Sequence, residues 1–213
     1  SNGVRDALLS YEFSNSQARL HCRSFTRAYN DMEMGTLPPR QALAQGLQAL
    51  RKSVGKVGDS TVVESPFMPD YGCNIPIEEN TFVNFICTIL DTSIIVIGSG
   101  VQIASNISIL SAGRETCVLS RQMFLEFGLP VYIEDDVMLG ANVIIMHGVT
   151  IGKGSTIGAG STAMKAIPPY CVAVGTPARV IKKVPTLEEL QDPENPFRSA
   201  VAVCSKHATI TIW

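Results

Sequence analysis

The sequence predicts a mainly-β protein: a left-handed parallel β-helix of hexapeptide repeats, with an N-terminal helical segment and a C-terminal arm. Three observations carry this reading. Aliphatic residues recur at every sixth position, Ile133, Leu139, Ile145, Ile151 and Ile157, with Ala163 completing the series. Glycines follow them, Gly140, Gly152 and Gly158 directly and Gly148 displaced. The same spacing appears upstream at Ile77, Val83 and Ile89 and resumes, after two extra residues, at Ile97, Ile103 and Ile109.

Six is neither the 3.6-residue period of a helix nor the two-residue period of a flat strand. It keeps strand alternation if each unit is a short strand plus a tight turn. Three units then close one triangular coil with the aliphatic residue pointing inward. Stacked coils pair their strands at about 4.8 Å, and each coil buries the apolar residues of the next. Glycine after the aliphatic position lets the chain turn without a side-chain clash.

The elements follow in order. Residues 1–54 form the helical segment: SQARLHCRSFTRAYN and RQALAQGLQALRKSV read as helices between about 14 and 50. The TLPP break separates them, with Thr36 as a cap and Pro38 and Pro39 near the first turn of the second helix. Residues 55–184 form the β-helix, whose period breaks once, over residues 111–130. Residues 185–213 are a tail: TLEELQ suits a helical turn, DPENPF breaks it, and SAVAVCSKHATITIW alternates as a strand or ordered arm.

Composition bounds the function. A chain of 213 residues, 46% apolar, can bury one substantial core. Only 17% of residues are charged and the net charge is −2, which argues against a nucleic-acid partner or a polybasic membrane anchor. No run approaches the roughly 18 apolar residues of a spanning helix, and the N-terminus lacks a signal-like apolar core. The six cysteines show no CxxC and no metal spacing. They read as reduced, mostly buried thiols of a cytoplasmic protein without a metal site.

Several blocks in order give the chain a closer likeness: DYGCNIPIEEN (70–80), FVNFICTILD (82–91), EFGLPVYIEDDV (126–137), GVTIGKGSTIGAGS (148–161) and AVGTPARVIKK (173–183). With these it resembles the maltose and galactoside O-acetyltransferases of the hexapeptide-repeat superfamily, from about residue 11 to residue 184. The resemblance implies a homotrimer with clefts between neighbouring β-helices, acetyl-CoA or another acyl-CoA as co-substrate, and a small-molecule hydroxyl acceptor. It also implies that residues 111–130 are an extruded loop that reaches toward the neighbouring subunit and walls the site.

The same resemblance places candidate site residues. Where the family has T-A-T-H-P, with the His as general base, this chain has Ser111-Ala112-Gly113-Arg114-Glu115. Guanidinium stays protonated and offers no lone pair, so Arg114 cannot take a proton. It can hold a carboxylate, phosphate or oxyanion, or brace the loop by pairing with Glu115 or Glu126. Candidate replacement bases are His147, in a coil turn where a lone His is usually solvated, and the carboxylates Glu126 and Glu12. Asp91 could orient a hydroxyl. Cys117 would act as a nucleophile only if a base lowered its pKa, while His21 and His207 read as structural.

On the acceptor side the resemblance places Asn84, Ile86, Tyr71, Met138 and Arg19, with Glu12 standing for the family's Asp. Ile86 and Met138 replace a polar group and a large ring. On the donor side it places Lys165 and Arg179 at CoA phosphates, and Ala159 and Gly160 where the pantetheine arm passes close to backbone. Three functions fit: a CoA-dependent acyltransferase whose base has moved or whose substrate supplies its own; a repurposed isomerase, lyase or cyclase using Arg114 on an anionic or enolising substrate; and a silent trimeric binding protein.

Overall fold

The computed structural model describes residues 2–32, 35, 37–186 and 188–189, apart from the side chains of residues 2–15, 39 and 40. Short strands wind into a three-faced prism, and every strand of the coils pairs in parallel with its counterparts above and below. On the first face Val57, Ile77, Ile97, Ile133 and Ile151 are in register. On the second face the series is Val63, Val83, Ile103, Leu139, Ile157 and Ala173. On the third it is Pro69, Ile89, Ile109, Ile145 and Ala163. From Ile77 to Ala163 these are the residues that the six-residue period predicts to point inward; Val57, Val63, Pro69 and Ala173 extend the three series beyond that count.

The core is a column of such side chains; Ile77, Ile89, Ile97, Ile109, Leu139 and Ile145 are all fully buried. Each contributes about 1.5–3 kcal/mol by leaving water, and stacking neighbours supplies what one coil alone cannot. The two extra residues between Ile89 and Ile97 widen one corner. A second widening, between Pro69 and Ile77, escapes the aliphatic count because proline takes the inward position.

Helix α1 (Asn2–Asn30) begins well before the expected start near residue 14, and α2 (Pro39–Leu50) follows it. Pro38 occupies the N-cap position of α2 and makes no side-chain cap; Thr36 lies outside the described residues. Both helices cover the open end of the prism, as a solenoid's first coil requires. Asn30 satisfies both backbone groups of Phe67, donating to its carbonyl and accepting its N–H at 2.9 Å each. The Tyr29 hydroxyl donates to the Val63 carbonyl. At the other end Cys171–Val174 pairs antiparallel with Arg179–Lys183 and closes the second face. In the tail, Thr186 and Glu189 exchange reciprocal capping bonds at 2.7 and 3.2 Å, the signature of a helix start. The rest of the expected arm, with His207, lies outside the described residues.

Among the described cysteines Cys22, Cys87 and Cys171 are buried, while Cys73 and Cys117 are exposed. No helix among the described residues is long and apolar enough to cross a membrane.

Candidate functional site

The sequence-predicted residues fall on two different edges of the prism. The loop edge joins the third face to the first; here 111–130 leave the coils. The asparagine edge joins the second face to the third. Ile86 ends one side of the strand Cys87–Leu90 and Asp91 the other, so about 16 Å of extended backbone separates the two edges.

On the loop edge, Asp70 is the anchor. It is 7% exposed and accepts Arg19 Nη2 at 2.7 Å, Arg19 Nε at 2.9 Å and Arg23 Nη2 at 3.4 Å. The Arg19 guanidinium also lies over the Tyr71 ring, 4.7 Å from its centroid. Burial works against the charge of Arg19, but Asp70, Tyr71 and Glu126 outweigh it and raise its pKa above the ordinary value. Beside them a cavity of about 440 Å³ is lined by Arg23, Asn30, Met68, Asp70, Thr88 and Leu90. The period gave no sign of Asp70 or Arg23, because their meaning depends on a helix 47–51 residues away.

Asp91 is fully buried. Its carboxylate accepts the backbone N–H of Tyr71 at 2.8 Å, Asp70 at 3.2 Å and Asn74 at 3.3 Å. Burial pushes its pKa up from the carboxylate range while those bonds pull it down. Its oxygens accept from the corner that presents Asp70 and Tyr71.

The loop leaves the edge through a narrow neck, Ala112–Gly113 paired antiparallel with Phe127–Gly128. Ser111 is buried and ties the neck down, accepting the Ser93 N–H at 2.8 Å and contacting the Leu90 carbonyl at 2.9 Å. The neck lies flat because it is built with glycines: a Cβ on Gly128 would meet Ser93 at 2.8 Å. Just past it, Arg114 Nη2 stands 4.0 Å from Glu126 Oε1, with side chains 51% and 31% exposed. The bracing pair with Glu126 therefore forms, at the outer limit of an ion pair.

His147 departs from the expected solvated turn. Its ring packs edge-on against Phe127, centroids 5.2 Å apart, and sits beneath Gly113, where a Cβ would lie 3.1 Å from its Cδ2. Its Nδ1 is buried without a hydrogen-bond partner among the described residues. Thr92 Oγ1, on the same edge, shares that condition. Further along the edge Lys165 is exposed. Cys117, exposed at the start of the short helix Val118–Gln122, has its pKa lowered by N–H groups of Ser120 and Leu119.

The asparagine edge carries a ladder of left-handed residues: Ile86 at φ 59°, Asn106 at 59°, Asn142 at 60° and Gly160 at 71°. Asparagine and glycine tolerate that conformation, and Asn106 donates to Asn142 at 2.6 Å. A β-branched residue does not tolerate it, yet Ile86 holds it while 39% exposed. Asn84 is half-buried, its Oδ1 accepting the Phe85 N–H at 2.8 Å. Met138 points outward from the second face. Ala159 and Gly160 are exposed. Nothing lies within 4 Å of where a Gly160 Cβ would stand, whereas a Gly140 Cβ would be 2.6 Å from Ala159 N. Arg179, exposed on the last strand, donates to the Ala178 carbonyl at 3.0 Å.

The structure thus brings together Arg19, Tyr71, Asp91, Arg114, Glu126 and His147 on one edge. It sets Asn84, Ile86, Met138, Ala159 and Gly160 on or near the other. The side chain of Glu12 lies outside the described residues. Among those residues no group of three or more His, Cys, Asp or Glu could hold a metal ion.

Comparison with known proteins agrees with this architecture. Residues 130–162 match the family model described as bacterial transferase hexapeptide (six repeats). The chain is 34% identical to the galactoside O-acetyltransferase of Escherichia coli over 168 residues, 79% of this chain and 80% of that protein. It resembles the crystal structure of a maltose O-acetyltransferase from Clostridium difficile, with TM-score 0.75 and 39% identity over 81% of this chain and 89% of that one. It also resembles a hexapeptide-repeat acetyltransferase from Vibrio cholerae complexed with acetyl coenzyme A, with TM-score 0.74 and 30% identity over 80% and 89%. The chain belongs to the maltose and galactoside O-acetyltransferase family of hexapeptide-repeat proteins.

Proposed function

We propose that this protein is a CoA-dependent acyltransferase that moves an acetyl or other acyl group to a hydroxyl of a small molecule, in clefts between three copies of the chain. The observation that carries this is the division of the site. The open backbone over Gly160 lies on one edge and the Arg19–Asp70–Arg114 group on another, a division that supports a cleft completed by a second copy. The relative from Vibrio cholerae with acetyl coenzyme A bound supports the donor. Exposed Lys165 and Arg179 supply cations for its phosphates. The loop also presents Leu119 at 68% and Phe124 at 79% exposure, apolar surface suited to a neighbouring copy.

The test couples assembly to activity. Sedimentation should give a trimer, and free thiol should be released from acetyl-CoA when a hydroxyl acceptor is present. Phe124→Asp should weaken both together. A monomer with full acceptor-dependent release would contradict the shared cleft.

A further inference from the structure

We infer that the hydroxyl acylated at this site is one that ionises without a protein base, as a phenol or enol does, and that Arg114 holds the resulting oxyanion. The inference rests on the acyl-transfer reading above and narrows its acceptor.

The first support is what the loop edge lacks among the described residues. An alcohol attacking a thioester must give up its proton to a positioned lone pair. Asp70 is spent on Arg19 and Arg23, and Asp91 on three backbone N–H groups. Glu126 faces Arg114 and adds to the field around Arg19. Glu115 is exposed, and a solvated carboxylate is a weak base.

Among the described residues His147 is the remaining candidate, and its geometry argues against it. For Nε2 to accept a proton, Nδ1 must carry one, and a buried N–H needs an acceptor. None faces Nδ1 among the described residues. The favoured tautomer therefore keeps the lone pair inside and the proton on Nε2. What the edge offers instead is a cation: Arg114 is half-exposed, with one ion-pair contact among the described residues, at 4.0 Å.

The second support comes from the other half-site. Ile86 holds a left-handed conformation that asparagine fills in the next two coils, and Phe85 beside it is 45% exposed. A strained, exposed apolar residue in an asparagine slot marks a surface shaped for an apolar body.

These features fit one chemistry. An opposite charge close by lowers the pKa of an acidic group by about 1–3 units. That leaves a sugar hydroxyl protonated, but brings a phenol, with a pKa of about 10, near the working range. The phenol proton goes to water. The oxyanion attacks the thioester carbonyl carbon, the new C–O bond forms, the C–S bond breaks, and CoA leaves as the thiolate, which takes a proton from water.

The test uses the full-length protein, acetyl-CoA, 2-naphthol and methyl β-D-glucoside, with CoA binding measured in parallel. The naphthol should be acetylated with kcat/KM at least ~100-fold above the glucoside. Its pH profile should rise through an apparent pKa about one unit or more below naphthol's own. Arg114→Ala should move that pKa up to the solution value while CoA binding is kept, and Arg114→Lys should restore part of the shift. Equal or better use of the glucoside, no turnover of either acceptor by a protein that binds CoA, or a profile unmoved in Arg114→Ala overturns the inference. Failure to bind CoA overturns the acyl-transfer reading itself.

Discussion

The Arg114 guanidinium stands 4.0 Å from the Glu126 carboxylate, across the base of a loop that the coils extrude between Leu110 and Val131. Both side chains are too exposed for this pair to hold the loop by itself. Exposed pairs contribute about 0.2–1 kcal/mol. Arg114→Ala and Glu126→Gln should therefore each change stability by no more than about 1 kcal/mol in denaturant unfolding. Acyl transfer should fall at least ~10-fold in Arg114→Ala. A large stability loss with unchanged turnover would reduce Arg114 to loop bracing.

Ile86 gives the opposite signature. A non-glycine residue in the left-handed region costs about 1–2 kcal/mol, and less for asparagine. Ile86→Asn should stabilise the fold by about 1 kcal/mol and raise Tm by about 2–4 °C. Use of an apolar acceptor should weaken at the same time. Calorimetric melting checks the first outcome; a lower Tm would mean that side-chain packing outweighs the backbone strain.

The prism was legible in the sequence because its physics is periodic. Ile133, Leu139 and Ile145 point inward for the same reason that they recur every six residues, and residues 111–130 were visible as the long interruption of that count. The site was less legible because its contacts are not periodic. Asp70 matters through Arg19 and Arg23, on a helix that the repeat does not describe. His147 is half-buried because Phe127, from the far side of the loop neck, folds back onto it. Ile86 reads as an ordinary apolar residue until its φ is known. That the predicted residues divide between two edges follows from counting three faces per coil, which the spacing alone does not assign to positions in space.

Asp91 should behave as a structural acid. Asp91→Ala would leave three backbone N–H groups without their acceptor at a buried corner. Each such loss costs about 1–3 kcal/mol, less whatever water recovers, so destabilisation of about 3 kcal/mol is expected in urea unfolding. Burial raises the folded-state pKa of Asp91. Its proton linkage therefore favours the fold below its unfolded pKa and is lost as pH rises through the folded one. In Asp91→Ala this term disappears, and the stability-versus-pH curve should lose its decline across that acidic window. An unchanged curve would contradict the burial-dominated shift.

The donor seat is the part on which every other step depends. Titration of CoA into the assembled protein by calorimetry should show one molecule per chain, with Kd well below ~1 mM. Ala159→Trp, placed on exposed backbone beside Gly160, should abolish that heat while leaving the melting temperature in place. Absence of binding by the unaltered protein at millimolar CoA would contradict the account.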